Sequence, residues 1–145
     1  MQREDLLSLW DKAWTDGLWA APWSKALEGL TPQQAAWSPA PNRHSIWQIV
    51  NHMIFWREHD LRTFAGDKPS AEEQQRRNFE PTPAPTAEQW ESTKKHFATT
   101  QSHIHDAIAD PKKLIDRLQY HLFHDSYHFG QIMLLRALQG LKPIE

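Results

Sequence analysis

A chain of 145 residues with 39% hydrophobic residues can bury the core of one domain, so we expect residues 1–145 to form a single domain. Its 16 basic and 18 acidic residues give a formal net charge of −2, without the basic patch that nucleic-acid binding requires. The absence of cysteine excludes disulfides, thiolate catalysis and cysteine-based zinc sites, so a bound metal would need nitrogen and oxygen ligands.

The start of the chain, MQREDLLSLW, carries charges where a signal peptide needs an apolar run. No later stretch approaches the roughly 20 apolar residues that span a bilayer. We therefore expect a cytoplasmic protein without membrane contact.

The first predicted helical stretch covers residues 3–30 and contains helix-breaking residues. Apolar side chains follow helical spacing at its start, and Gly17 and Pro22 are expected to bend or break it. A capping box with proline at the first helical position then begins at Thr31. This predicts a short extra helix that ends at Trp37.

Three long helices are predicted in the rest of the chain. The second long helix opens with the capping box SIWQ and covers residues 45–65. The third covers residues 86–109, after a polar connection that includes PTPAP. The fourth covers residues 114–139 and is apolar on nearly every side, which is typical of the most buried helix in a bundle. The pattern predicts an all-α four-helix bundle, with the short extra helix between helices 1 and 2.

The last helix contains the sequence HDSYH, which places His124 and His128 one turn apart. Residues i and i+4 share a helix face, so both rings can reach one metal ion. Random placement of nine histidines yields about half of one such pair, so the spacing alone leaves chance as an alternative. In that alternative, the two histidines are partly buried and bond to other protein groups.

Three features favour a metal site. First, polar residues share the face of the pair in the most apolar helix, and a buried polar stripe is costly unless its groups are satisfied. Second, the neighbouring aromatic residues Tyr127 and Phe129 suit the walls of a pocket. Third, His52 lies inside an apolar run of the second helix. A single histidine in such a run is more often a core residue than a metal ligand. Together with the pair, however, His52 provides a third nitrogen for one ion. Two ligands from one helix and one from another leave a fourth position open.

Two segments of the chain resemble the DinB/YfiT family of metal-binding four-helix proteins: LEGLTPQQAAWSPAPNRHSIWQIVNHMIFWREH and HDSYHFGQIMLLRALQG. In that family one ligand follows the pattern S-I-W-x-x-x-x-H, matched here by His52. The other two belong to H-D-x-x-H-x-G-Q-I, matched by His124 and His128. The resemblance covers about residues 6–140 and implies that these three histidines bind a divalent metal ion. Asn42 lies where relatives often have glycine, and asparagine tolerates the positive φ of such a turn.

A site of three histidines suits zinc or nickel, with manganese and iron as alternatives, and would support two reactions. Three neutral imidazoles leave the ion its full charge, which lowers the pKa of a bound water or polarises a bound carbonyl or thiol. Activated water predicts hydrolysis, whereas a bound low-molecular-weight thiol predicts transfer to a small electrophile. Characterised relatives are thiol transferases and a thiol-dependent isomerase, so the resemblance favours the thiol reaction, linked to stress or detoxification.

Two other classes remain open. The first is a non-catalytic helical module that binds metal for stability, sensing or homodimerisation. The second is a metal-free bundle. A fourth protein ligand would indicate a structural metal site, whereas an open position beside an apolar pocket would indicate an enzyme.

Five residues near the candidate ligands receive weaker assignments. Gln131 could bond a ligand or substrate, or satisfy a buried polar group. His121 could line the cleft or be an ordinary half-buried histidine. Asp125 points about 100° away from the first histidine of the pair, which suits a supporting role better than ligation. Arg117 could meet an anionic group of a substrate, or be a solvated arginine near the helix start, and His59 is expected to lie on the surface.

Overall fold

The computed structural model describes residues 1–82, 84–113 and 115–144. No strand occurs in these ranges, so the all-α prediction is confirmed. The helices are α1 (Arg3–Thr15), α2 (Pro32–Ala36), α3 (Ile46–Phe64), α4 (Ala71–Arg77), α5 (Ala87–Ala109) and α6 (Ile115–Leu138), with a 3-10 helix at Trp23–Lys25.

The four longest helices, α1, α3, α5 and α6, pack on one another as expected for a four-helix bundle. Helix α3 contacts both α5 and α6, and α1 contacts the same two helices. The short helix α2 packs on α3 and α5, which confirms the extra helix predicted between the first two long ones. No helix in the described ranges is long and apolar enough to cross a membrane.

Capping boxes set the starts of two helices as the sequence predicts. The Ser45 hydroxyl accepts a hydrogen bond from the Gln48 amide at 3.1 Å, and the Gln48 side chain accepts one from the Ser45 amide at 3.0 Å. Thr31 and Gln34 make the same reciprocal pair at the start of α2. These bonds satisfy amide groups that have no partner within the helix, and so fix where α2 and α3 begin.

The first helix ends earlier than the predicted stretch. Helix α1 stops at Thr15, and residues 16–22 have no helix before the short 3-10 turn. Gly17 has a φ of +81°, and a Cβ atom there would lie 1.9 Å from the Ala20 carbonyl oxygen. Only glycine fits this close approach of the backbone, so Gly17 breaks the helix rather than bending it.

Helix α4 lies in the region predicted to be a polar connection. The Ser70 hydroxyl caps it by accepting a hydrogen bond from the Glu73 amide at 3.1 Å. No residue of α4 is buried, so this helix has no apolar periodicity to reveal it. The pattern Ser-x-x-Glu, which is typical of a helix start, is the sequence signal that indicates α4.

Helix α6 is not the most buried helix of the bundle. It buries nine of its 24 residues, whereas α3 buries eleven of 19. The outer face of α6 carries a row of exposed apolar side chains: Tyr120, Phe123, Tyr127, Leu134 and Leu138. The apolar residues on every side of α6 therefore reflect an exposed apolar surface, not complete burial. The predicted start at Leu114 lies outside the described residues.

Candidate metal centre

Helices α3 and α6 bring His52, His124 and His128 together between them. One ring nitrogen from each histidine lies within 4.8 Å of the other two. The Nε2 atoms of His52 and His124 are 3.0 Å apart, and the ring of His128 lies 4.5 Å from both other rings, measured between centroids. Within the described residues, no fourth histidine or carboxylate joins this group of three.

The Nδ1 atom of each ring faces an oxygen atom of another side chain. A histidine with Nδ1–H as donor carries its lone pair on Nε2, so these contacts select the tautomer that leaves Nε2 free. The three oxygens thus hold the rings in fixed orientations, as the hydrogen-bond partners of metal-bound histidines do. The contacts are His52 with Asn78 Oδ1 at 2.6 Å, His124 with Asp125 Oδ1 at 2.8 Å, and His128 with Gln131 Oε1 at 2.7 Å.

The separation of the first two Nε2 atoms fits a shared cation. With Nδ1 protonated on both rings, two lone pairs point at each other across 3.0 Å, which is unfavourable without a positive charge between them. Ligands at zinc–nitrogen distances of roughly 2.0–2.1 Å in a tetrahedron lie about 3.3 Å apart. The nitrogen donors therefore fit a divalent metal ion that accepts imidazole ligands.

Burial keeps two of the rings neutral. Loss of solvation lowers the pKa of His52 to about 4, a shift that the hydrogen bond to Asn78 only partly opposes. Burial also lowers the pKa of His128, and the hydrogen bond to Gln131 only partly opposes this shift. A histidine must be neutral to bind a metal ion, so both rings are ready to do so near neutral pH.

A buried ion pair supports His124 from the interior of the bundle. Asp125 accepts from His124 through Oδ1 and from Arg57 Nε, at 2.8 Å, through Oδ2. Both members of the ion pair are completely buried. Burial alone would raise the pKa of Asp125, but the charge of Arg57 and the hydrogen bond from His124 hold it at about 2. Asp125 is therefore an anion, and the sequence offered no indication of Arg57.

The segment after α4 covers the outer side of the centre. Asn78 accepts hydrogen bonds from both His52 and, at 3.3 Å, Trp56 Nε1. The Phe79 ring stacks between His52 and His44, with centroid distances of 3.9 and 3.8 Å. Phe79 has a φ of +54°, a conformation that non-glycine residues rarely adopt. The sequence gives no indication of Asn78 or Phe79, because the segment that carries them has no apolar periodicity.

A second polar cluster lies beside the centre, around Asp60 of α3. Its carboxylate accepts hydrogen bonds from Arg117 Nε at 2.7 Å, His121 Nε2 at 3.1 Å and His59 Nδ1 at 3.0 Å. Burial opposes ionisation, but these three donors lower the pKa of Asp60 to about 2. The expectation that His59 lies on the surface was wrong, since it is buried against Asp60. Arg117 is half exposed and paired, rather than fully solvated.

Two cavities meet at the candidate centre. The histidine cleft, of about 540 Å³, is lined by all three candidate ligands and by Trp56, Asp60, Phe79, Arg117, Tyr120, His121 and Tyr127. The outer cavity, of about 610 Å³, is lined by His128 and Gln131 together with Arg43, His44, Leu134 and other mainly apolar residues. Phe79, Tyr127 and His128 line both cavities. His121 and Gln131, the two predicted cleft residues, therefore face different cavities.

A family model described as the DinB superfamily matches residues 17–138, a range that contains all three candidate ligands. No curated protein and no solved structure matches the chain.

Proposed function

This chain belongs to the DinB superfamily, and we propose that it is a metal-dependent enzyme that transfers a low-molecular-weight thiol to a small electrophile. The observation that carries the proposal is the three-histidine group itself, with each Nδ1 bonded outward and all three rings lining one cleft. A bound divalent ion, zinc or nickel before manganese or iron, would lower the pKa of a thiol or water and polarise an electrophile.

The ligand count supports an enzyme over a structural metal module. Structural zinc sites are closed by four protein ligands, whereas catalytic sites keep one position for water or substrate. Here the described residues provide three histidines, and all three line a cleft of about 540 Å³. The alternative is a non-catalytic module for stability, sensing or dimerisation. That alternative does not explain why a cleft lies at the ligands.

The two cavities support transfer over hydrolysis. A transferase must bind two reactants beside one centre, whereas a hydrolase needs room for one substrate and a water molecule. Phe79, Tyr127 and His128 separate the histidine cleft from the outer cavity and line both. We infer that the thiol occupies the histidine cleft and that the electrophile occupies the outer cavity, whose lining includes Leu134, Leu135 and Leu138.

The protein's own groups would orient the three histidine ligands and line the space for the reactants. Asp125, Asn78 and Gln131 hold the three rings at fixed angles, so little reorganisation is needed when ligands bind. Phe79 and Tyr127 provide aromatic walls to both cavities.

The test is metal analysis followed by a thiol screen on untagged protein. We expect stoichiometric metal in the wild type, and thiol-dependent consumption of a bimane electrophile with zinc, nickel or manganese. His52→Ala should lose both metal and turnover, whereas His103→Ala, at an exposed position of α5, should keep both. Bound metal without turnover with any thiol would favour the module. A wild type without metal would refute both functions.

Three further expectations about this protein stay predictions. They are a homodimer, a cytoplasmic location and the absence of nucleic-acid partners. Sedimentation equilibrium, cell fractionation and a nucleic-acid binding assay would test them in turn.

A further inference from the structure

The histidine cleft extends well beyond the three candidate ligands along α6. Arg117, His121, His124 and His128 all line it, at spacings that keep them on one face of the helix. Arg117 precedes His124 by seven residues, which corresponds to about 10 Å along the helix axis. The cleft therefore has a histidine end and an arginine end, separated by the length of a small organic molecule.

The arginine end is built around a buried carboxylate. Asp60 is 5% exposed, and its two oxygens accept hydrogen bonds from Arg117, His121 and His59. It is the one acidic side chain among the described residues that line the cleft. Because both of its oxygens are already bonded, Asp60 is positioned to hold Arg117 rather than to bind a cation from solution.

Arg117 keeps most of its donors free for a ligand. Its Nε donates to Asp60 at 2.7 Å, while its side chain remains 52% exposed. Within the described part of the chain, its terminal nitrogens Nη1 and Nη2 donate no hydrogen bond. A guanidinium held through Nε presents these paired nitrogens in a plane, the geometry that binds a carboxylate through two parallel hydrogen bonds.

The wall between the two ends is aromatic. Trp56, Phe79, Tyr120 and Tyr127 line the cleft, which suits the carbon chain of a ligand that is polar at both ends. A divalent ion at the histidine end and a guanidinium at the other would both attract negative charge.

We propose that Arg117 binds a carboxylate of the molecule whose other end meets the three histidines, and that this molecule is a low-molecular-weight thiol carrying that carboxylate. Asp60 acts as a positioning residue for Arg117. The assignment of the ligand as a thiol rests on the proposed function, whereas the assignment of the carboxylate rests on Arg117 and Asp60 alone.

The test measures equilibrium binding to zinc-loaded protein by calorimetry, using two matched pairs of probes. One pair is ω-mercaptooctanoic acid and its methyl ester. The other is suberic acid monohydroxamate and its methyl ester, which bind metal without a thiol. We expect each acid to bind the wild type about tenfold or more tightly than its ester, since hydrogen bonds between charged groups are the strong ones.

The variants assign this preference to Arg117. Arg117→Gln should bind acid and ester equally, Arg117→Lys should keep part of the preference, and Arg76→Gln, on the exposed surface of α4, should keep all of it. All variants should retain the metal content and helical circular dichroism of the wild type. An equal affinity for acid and ester in the wild type, or an unchanged preference in Arg117→Gln, would overturn the inference. A preference for the acid over the ester that is seen only with the hydroxamate pair would support carboxylate binding by Arg117 and refute the thiol function.

Discussion

The guanidinium of Arg57 and the carboxylate of Asp125 form a completely buried ion pair, and the same carboxylate holds the ring of His124. Removing one partner of such a pair leaves the other charge unpaired in the interior. We expect Arg57→Leu to lower the free energy of unfolding by about 3–5 kcal/mol, as measured by urea denaturation of the metal-free protein.

The matched variant combines Arg57→Leu with Asp125→Asn. Asparagine removes the negative charge but keeps an oxygen that can accept from His124. The double variant should therefore be more stable than Arg57→Leu alone. Equal stability of the two would mean that the unpaired Asp125 charge does not cause the loss.

We expect Asn78 to affect metal affinity, because it accepts the hydrogen bond that orients the His52 ring. Asn78→Ala removes the acceptor of the His52 Nδ1 hydrogen bond and should weaken zinc binding about 10- to 100-fold, measured by competition with a chromophoric chelator. Asn78→Asp retains an acceptor oxygen and should bind zinc more tightly than the alanine variant. Gln75→Ala, at an exposed position of neighbouring α4, should match the wild type.

Asp60 makes stability depend on pH in the acid range. Its pKa is lowered from 3.8 to about 2 in the folded protein, so between these values the unfolded chain binds more protons. The stabilisation is fully present above the ordinary pKa and is lost as the pH falls through the folded one, a loss on the order of 2 kcal/mol. Asp60→Asn should reduce the slope of this part of the curve, measured by urea denaturation at each pH, while the contribution of Asp125, whose pKa is also lowered to about 2, remains. Asp116→Asn, an exposed carboxylate on α6, should not.

Metal binding should stabilise the folded protein. The three histidines converge only in the folded chain, so zinc at a hundredfold excess over its Kd should add about 2.7 kcal/mol to the free energy of unfolding. Thermal unfolding with zinc and with a chelator measures this difference. We expect the difference to vanish in His128→Ala and to persist in His103→Ala. A stabilisation of His128→Ala as large as that of the wild type would place the bound metal elsewhere.

The main helices could be predicted because local signals determine them. The capping box at Ser45 and the one at Thr31 start helices where expected, since their hydrogen bonds involve residues three positions apart. Helix α4 was missed because a helix that buries no residue has no apolar stripe. The burial of α6 was overestimated because an apolar composition does not distinguish a buried face from an exposed one.

Patterns along the chain indicate the candidate ligands and two of the side chains that bond to them, Asp125 and Gln131, but not the other supporting residues. His124 and His128 share a helix face by spacing, and the family pattern adds His52. Arg57 and Phe79 acquire their roles from tertiary packing across helices, as Asp60 does. The burial of His59 also could not be predicted. Its position near a helix end suggested exposure, but in the fold only 3% of the residue is exposed.

The segment that carries Asn78 and Phe79 also bears on how quickly an ion could exchange. Helix α4 buries no residue. The segment is attached to α3 by hydrogen bonds from Gln48 to the Phe79 carbonyl at 3.2 Å and from Asn51 to the Glu80 carbonyl at 3.0 Å, in addition to those that His52 and Trp56 make with Asn78. Segments with few buried contacts open at a lower free energy than the whole domain. We therefore expect this segment to open while the bundle stays folded, which would uncover one side of the centre and speed the exchange of a bound ion.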